Sequence, residues 1–213
     1  MELKNRVAIV TGAAAGIGRA SALALGRERA SVVIADIDFK GAQLVADEIK
    51  ASGSMSLALP TDVSQEEQVK EMVGWTADHF GAVDIMGNNA AFTDYEFKYF
   101  HETQSADWER EINVTFKGVL YCCRAVVSHM IERCSGRIIN ITSDASKAPV
   151  PGHTIYSACK AAVAGFSRAL ATELSRYGIL VNCVAPGAFG VILKPRQAFF
   201  GIAVATIWRK SCD

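Results

Sequence analysis

Three side chains in the second half of the sequence, Ser143, Tyr156 and Lys160, are of types that can move a proton to or from a substrate. Tyr156 and Lys160 are four residues apart in a helical pattern, so they share one face of a helix. A lysine ammonium close to a tyrosine favours the phenolate and lowers the pKa of the tyrosine. We therefore expect Tyr156 to exchange a proton with an alcohol or a ketone near neutral pH, with Ser143 hydrogen-bonded to the same substrate oxygen. The alternative is an ordinary tyrosine–lysine pair on a helix surface.

A glycine-rich turn near the N-terminus has the composition of a dinucleotide-binding loop. The turn contains Gly12, Gly16 and Gly18, follows an apolar run and precedes a helical pattern. Glycine permits a tight turn and lets the backbone approach a pyrophosphate, to which the following helix presents free amides. Because the turn lies in the first unit of a strand–helix–strand series, its context favours dinucleotide binding over a purely structural turn.

Two aspartates follow later apolar runs and predict which dinucleotide the site takes. Asp36 lies 18 residues after Gly18, where a carboxylate can accept hydrogen bonds from the adenosine ribose and repel a 2′-phosphate. Neither Ala15 nor Ile37 supplies a cation that would neutralise such a phosphate. The sequence therefore predicts NAD, with NADP disfavoured. Asp62 could meet the adenine amine, although either aspartate could instead cap a loop.

Apolar runs alternate with helical patterns along the chain, and this alternation predicts the fold class. The runs are uniformly apolar, as expected when helices cover both faces of a parallel sheet. We predict an α/β fold of the Rossmann type, a doubly wound parallel sheet of about six strands with helices on both faces, in one domain over residues 1–213. Predicted strands are 7–10, 31–35, 55–59, 83–86, 137–141 and 179–184; predicted helices are 17–29, 41–51, 64–80, 108–133 and 155–176. Ser64 and Glu67 have the spacing of a capping box for the third helix.

Composition excludes several classes of function. The 213 residues are 50% hydrophobic and carry no formal net charge, so no basic face for nucleic acid is expected. No apolar run reaches the ~20 residues that span a bilayer, and the N-terminus lacks a signal-peptide pattern. The six cysteines form no metal-ligand spacing. We expect a cytoplasmic protein with reduced thiols, no metal, and no nucleic-acid or membrane partner.

These motifs, in this order, resemble those of the short-chain dehydrogenase/reductase family. The resemblance implies an NAD-dependent oxidoreductase that interconverts a secondary alcohol and a ketone by hydride transfer. It covers about residues 3–189 and is carried by the glycine turn, Asp62-Val63, Asn88-Asn89-Ala90, Asn113, Ser143, the Tyr156/Lys160 pair and Pro186-Gly187.

The resemblance also implies a role for each matching residue. Tyr156 would be the general acid/base, Lys160 would lower its pKa, and Ser143 would position the substrate oxygen. Asn113 would hold a water that relays protons from Lys160 to solvent. The implied cofactor-binding set is Gly12, Ala15, Gly16, Ile17, Gly18, Asp36, Ile37, Asp62, Val63, Asn88, Ala90, Tyr156, Lys160, Pro186, Gly187 and Phe189.

The C-terminal end departs from the family pattern. Val191 stands where the family has a threonine that binds the cofactor carboxamide. Residues 190–213 are expected to be an atypical or truncated tail, with the family's seventh strand apparently missing. A catalytically impaired NAD-binding remnant is therefore one alternative to an active enzyme. A 3-oxoacyl-thioester (acyl-carrier-protein) reductase is another, which Asp36 disfavours because such reductases commonly take NADP.

The sequence predicts the substrate class and the oligomeric state only in general terms. Asp144, directly after Ser143, resembles family members that act on cyclic alcohols or cyclic hydroxyacyl-CoA compounds; a loop cap is the alternative. We expect a small alcohol or ketone, with cyclic and acyl-CoA-linked compounds as candidates. In the family, helices equivalent to segments 113–133 and 156–176 pair across a two-fold axis, so a homodimer is expected.

Overall fold

The computed structural model describes residues 3–92, 98–148 and 151–187, which contain one six-stranded sheet. Its order is β3-β2-β1-β4-β5-β6, and every neighbouring pair is parallel. The order reverses between β1 and β4, and ligands of doubly wound sheets bind outside the strand ends at such a switch point. The strands are β1 (Val7–Thr11), β2 (Ser31–Asp36), β3 (Ser56–Pro60), β4 (Ile85–Asn88), β5 (Gly136–Ile141) and β6 (Ile179–Val184).

In the described part of the chain, six α-helices connect these strands. They are α1 (Gly16–Arg27), α2 (Phe39–Ala51), α3 (Glu66–Phe80), α4 (Ser105–Ile112), α5 (Gly118–Glu132) and α6 (Thr154–Leu174). A π-helical turn, Asn113–Lys117, joins α4 to α5. Single π turns inside longer helices are frequent at functional sites.

Successive residues of the central strands point to opposite faces, and both faces are buried. Val10 of β1 packs with residues of α1 and α2, whereas Ile9 packs with residues of α3, α5 and α6. Val32 and Val33 of β2 divide between the two cores in the same way. Each fully buried aliphatic side chain contributes roughly 1.5–3 kcal/mol. This two-sided burial is the reason that the strands are apolar throughout rather than alternating.

The predicted fold class is confirmed, and each predicted strand corresponds to a strand of the sheet. The capping box is wrong, because α3 begins at Glu66 with Gln65 as its N-cap. The Ser64 hydroxyl donates to Asp62 Oδ1 at 2.7 Å instead. The one-domain assignment stays a prediction, and the tail 190–213, with Phe189 and Val191, lies outside the described residues.

The helical segment Ser105–Glu132 is, by length and composition alone, apolar enough to span a bilayer. Within the fold it forms part of the crossover from β4 to the parallel strand β5. Its α5 portion buries Val119, Cys122, Val126 and Met130 in the core. Packing against the sheet therefore accounts for the apolar composition of this segment.

Candidate active site

A cleft of about 700 Å³ lies at the carboxyl ends of the strands, over the switch point between β1 and β4. It brings together most of the residues that the sequence predicted for cofactor and substrate. The predicted residues that line it are Gly12, Ala15, Gly16, Ile17, Asp36, Ile37, Asp62, Val63, Ala90, Ser143, Tyr156, Lys160, Pro186 and Gly187.

The glycine turn has steric reasons for its composition. Gly12 has φ +61°, and a Cβ there would lie 2.7 Å from the Ala90 Cα. A Cβ on Gly18 would overlap the Gly12 carbonyl oxygen, so Gly18 allows the turn to pack although it does not line the cleft. Gly16 has φ +55°, and a Cβ there would meet nothing within 4 Å. The turn is therefore closed beneath Gly12 and Gly18 and open to a ligand at Gly16.

Asn89 clamps the turn to the end of β4. Its side-chain amide donates to the carbonyl oxygens of Thr11 at 3.0 Å and Gly12 at 2.8 Å. The Thr11 hydroxyl accepts from the backbone amides of Asn89 and Ala90 at 3.1 and 3.2 Å. Sequence reasoning did not assign a role to Thr11 or Asn89. The available signal was a single polar residue, Thr11, closing an otherwise apolar strand.

Asn88, which the family resemblance implies would line the adenosine ribose and hold the central strand, does not line the cleft. It is buried, and its amide donates to Asn140 Oδ1 at 2.8 Å. Asn140 in turn donates to the Ser167 hydroxyl at 2.7 Å. Asn88 therefore links β4 to β5, and through Asn140 to α6, inside the core.

Asp36 lines the end of the cleft beside β2, the predicted adenosine end, and retains the capacity to accept hydrogen bonds. Its Oδ2 accepts from the Ala14 amide and its Oδ1 from the Asp38 amide, both at 2.9 Å. Asp38 caps α2 by accepting from the Gly41 amide at 3.1 Å. Each Asp36 oxygen has a second lone pair for a ribose hydroxyl. Asp36 thus holds the loop, as the alternative proposed, and is also placed to meet a ligand.

Asp62 combines the same two functions at the end of β3. Its Oδ1 accepts from the amide and the hydroxyl of Ser64, at 2.9 and 2.7 Å, while the residue lines the cleft. Of the described residues that line the cleft, Asp36, Asp38 and Asp62 are the acidic ones and Lys160 is the single cation. The electrostatic field near Asp36 therefore disfavours a ligand with a 2′-phosphate on its ribose.

Ser143, Tyr156 and Lys160 meet at the opposite end of the cleft, which is called the chemical end below. Ser143 lies near enough to the Tyr156 phenol to lower its pKa, and Lys160 Nζ lies 5.7 Å from the Tyr156 ring centroid. Lys160 is 2% exposed and donates to the Ile141 carbonyl oxygen at 2.7 Å. The strand end after β5 supplies Ser143, and one face of α6 supplies the other two.

The predicted lowering of the Tyr156 pKa does not occur in this structure. Burial raises the pKa of Tyr156, the nearby Ser143 side chain opposes that rise, and the charge of Glu111 adds to it. Burial also lowers the pKa of Lys160 to about 8, against the charges of Cys159, Glu111 and Cys183. The lysine is directed to a backbone carbonyl, so its effect on the phenol is weaker than the sequence pattern suggests.

Asn113 is not among the described residues that line the cleft, although its neighbour Val114 is. Glu111 faces α6, because its charge acts on Tyr156 and Lys160. Thr115, one turn after Glu111, is fully buried, and its hydroxyl accepts from the Phe92 amide at 3.0 Å. The role implied for Asn113 stays a prediction.

A second, polar cavity of about 370 Å³ adjoins the cleft, since Phe92 and Tyr156 line both. Glu111 lines it and is 9% exposed, and burial raises the pKa of this carboxyl to about 7. Sequence reasoning missed Glu111. The sequence did contain a signal, because Glu111 is a charged residue in a helical pattern whose later inward residues are apolar.

A family model described as short chain dehydrogenase matches residues 6–196. The (2S)-[(R)-hydroxy(phenyl)methyl]succinyl-CoA dehydrogenase subunit BbsD of Thauera aromatica is 44% identical over 187 residues, which cover 88% of this chain and 74% of the relative. A 3-oxoacyl-[acyl-carrier-protein] reductase of Synechocystis sp. is 39% identical over 186 residues, which cover 87% of this chain and 74% of the relative.

Solved structures agree with these sequence matches. An NAD+-bound xylitol dehydrogenase superposes with a TM-score of 0.85 at 28% identity, covering 88% of this chain and 72% of that one. A metagenomic short-chain oxidoreductase in complex with NADP gives a TM-score of 0.84 at 33% identity, covering 88% and 85%. With relatives at 44% and 39% identity and a family match over most of its length, the chain belongs to the short-chain dehydrogenase family of oxidoreductases.

Proposed function

We propose that the chain interconverts a secondary alcohol and a ketone, with NAD as hydride carrier and Tyr156 as general acid/base. One observation carries this proposal: a single cleft contains both the glycine turn and the group formed by Ser143, Tyr156 and Lys160. A nicotinamide dinucleotide supplies the hydride acceptor or donor in such a reaction. The protein's share is binding, orientation and proton transfer, and the described residues fit those tasks.

The start of α1 fits the pyrophosphate of a dinucleotide. The N-cap residue Ala15 makes no side-chain cap, and the first turn of α1 contains no acidic residue. The free amides and the positive end of the helix dipole are therefore open to an anion. The open space above Gly16 would admit it, and Asp36 would accept hydrogen bonds from the adenosine ribose.

At the other end, Lys160 would bind the nicotinamide ribose and Tyr156 would handle the substrate proton. Lys160 uses one N–H on the Ile141 carbonyl, which leaves two N–H groups for ribose hydroxyls. Tyr156 has a raised pKa, so at neutral pH it is protonated and ready to donate to a ketone oxygen. Ser143, beside Tyr156, would hold that same oxygen.

We further propose a preference for NAD over NADP. The support is the carboxylate of Asp36 and the absence of a cation other than Lys160 among the described cleft-lining residues. Titration of the chain with NADH and NADPH, followed by nicotinamide fluorescence, should give the lower Kd for NADH. Equal or tighter NADPH binding would contradict the preference and favour a 3-oxoacyl-thioester reductase, as in the Synechocystis relative.

The substrate is proposed as a secondary alcohol, with an acyl-CoA-linked hydroxy compound as the first candidate. The support is the 44% identity to a dehydrogenase named for a hydroxylated succinyl-CoA. NADH formation at 340 nm would be followed with hydroxyacyl-CoA thioesters, cyclic secondary alcohols and hydroxyacyl-acyl-carrier protein. Turnover of at least one secondary alcohol supports the proposal. NADH binding without turnover of any would favour the catalytically impaired alternative.

A homodimer and a cytoplasmic location also stay proposals. Small, half-buried residues on α6, Ala162, Ala164 and Gly165, would permit close approach of a second helix pair. Sedimentation should give a dimer at micromolar concentration, and a monomer would contradict it.

A further inference from the structure

Glu111 is a buried carboxyl with an unsatisfied oxygen. It is 9% exposed, and its Oε1 has no hydrogen-bond partner among the residues that the structure describes. A charged side chain is almost never buried in this way without a partner, because desolvation disfavours its ionised form. Core packing does not explain a carboxyl at this position, so another role must account for it.

The surroundings of Glu111 join it to the chemical end of the cleft. It lines the polar cavity of about 370 Å³ together with Tyr156, and that cavity meets the cleft at Phe92 and Tyr156. Its charge acts on three successive inward positions of α6, namely Tyr156, Cys159 and Lys160. The carboxyl therefore lies between the proton-handling pair and a polar cavity.

The groups facing Glu111 come from α6 and from the walls of the cavity. On α6 they are Tyr156, Cys159 and Lys160, and His153 lies one turn before them. The remaining charged residues of the cavity are Lys98, Asp107 and Arg110. Desolvation raises the pKa of Glu111 to about 7 while the charge of Lys160 lowers it. A proton can therefore be held or released near neutrality.

We infer that Glu111 is a positioning residue for proton release, which exchanges protons with the Tyr156–Lys160 pair and passes them to the polar cavity. This inference rests on the function proposed above. In alcohol oxidation the Tyr156 phenol, protonated at neutral pH, first loses its proton through Lys160 to the Glu111 carboxylate, which releases that proton to solvent. The substrate hydroxyl then gives its proton to the Tyr156 phenolate and its carbon-bound hydride to the oxidised cofactor.

Glu111→Gln tests this role because it keeps the shape and removes the exchangeable proton. For alcohol oxidation, kcat should fall about tenfold, less than the ~100-fold or more expected of a group acting directly on substrate. KM for the alcohol should be unchanged, and the rise of kcat with pH near 7 should disappear. Glu109→Gln, an exposed neighbour on the same helix, is the matched control and should behave like the wild type.

A second measurement needs neither turnover nor cofactor. In chain labelled at the glutamate carboxyl carbons, one signal, absent from Glu111→Gln, should titrate near pH 7. In Lys160→Met that signal should titrate at higher pH, because the lysine charge lowers the pKa of Glu111. A Glu111 signal titrating near the ordinary value of about 4.3 would overturn the inference.

The two measurements separate failure of the inference from failure of the proposed function. Unchanged kcat and an unchanged pH profile in Glu111→Gln would overturn the inference while leaving the oxidoreductase proposal intact. Absence of wild-type turnover would count against the proposed function, and the carbon titration would then decide whether Glu111 exchanges protons at neutral pH.

Discussion

The two ends of the cleft are built by different means. The adenosine end is formed mainly by backbone contacts. Gly12 and Gly18 allow the backbone to pack closely, and both Asp36 oxygens accept hydrogen bonds from backbone amides. At the chemical end, Lys160 and Glu111 are buried, Tyr156 is half-buried, and the pKa values of all three depart from the ordinary range. The binding end is thus preorganised by geometry, whereas the reactive end depends on burial and on neighbouring charges.

Tyr156→Phe should break the chemical end without affecting the binding end. Loss of the phenol removes the proton donor, so kcat should fall by ~100-fold or more. The Kd for NADH should change by less than about twofold, a difference well below 1.4 kcal/mol. Steady-state kinetics and nicotinamide fluorescence measure the two effects, with Tyr177→Phe, outside the cleft, as control. Retained turnover would remove Tyr156 from its proposed role.

Lys160→Met should reveal the cost of burying charge at the chemical end. The pKa of Lys160 is lowered from 10.5 to about 8, so protonation favours the unfolded chain. The resulting loss of stability is complete below about pH 8 and disappears as the pH rises towards 10.5. The variant should therefore gain stability over the wild type at pH 7. Its gain in free energy of unfolding should be up to about 3 kcal/mol larger at pH 7 than at pH 10.

Urea unfolding at both pH values measures the Lys160→Met difference. Lys117→Met, which alters an exposed lysine, is the control and should show no such dependence on pH. A pH-independent difference in Lys160→Met would mean that Lys160 keeps its ordinary pKa in the folded chain.

Gly18→Ala should damage the adenosine end through packing alone. The added Cβ would overlap the Gly12 carbonyl oxygen, so the turn must shift at a cost of about 1–3 kcal/mol. NADH binding should weaken with it, as measured by thermal unfolding and fluorescence titration. Gly74→Ala on α3, where a Cβ meets nothing within 4 Å, should instead be neutral or stabilising by about 0.5–1 kcal/mol. Equal effects of the two variants would contradict the steric account.

Asp36→Ser combined with Ile37→Arg should shift the cofactor preference at the adenosine end from NADH towards NADPH. The pair removes a carboxylate and places a cation at a residue that is 76% exposed. The ratio of NADPH to NADH affinity should rise about tenfold, equivalent to about 1.4 kcal/mol. Ile37→Arg alone should change it less, because Asp36 would still repel the phosphate. An unchanged ratio in the double variant would show that other residues select the cofactor.

The sequence predicted what depends on spacing and missed what depends on three-dimensional burial. Uniformly apolar strands and the glycine turn are local patterns, so the doubly wound sheet and the position of the cleft could be predicted from them. Asn88 is the last residue of β4, where a ligand-binding residue could stand, but its side chain is buried and meets Asn140. Only the pleat of β4 decides this orientation.

The chemical end shows the same limit more sharply. The helical spacing of Tyr156 and Lys160 correctly placed them on one face, but the desolvation that raises the tyrosine pKa depends on the surrounding fold. Glu111 was missed for the same reason, because its burial beside α6 depends on how α4 packs and not on its residue type.

A crystal structure of the chain with NAD+ would test the central claim most directly, because it would show both ends of the cleft at once. The account predicts the adenosine ribose hydroxyls within hydrogen-bond distance of Asp36, and the nicotinamide ring beside Tyr156 with Ser143 facing its reactive carbon. A dinucleotide bound with its nicotinamide away from Tyr156, or no dinucleotide at saturating concentration, would contradict the proposal that this cleft carries out hydride transfer.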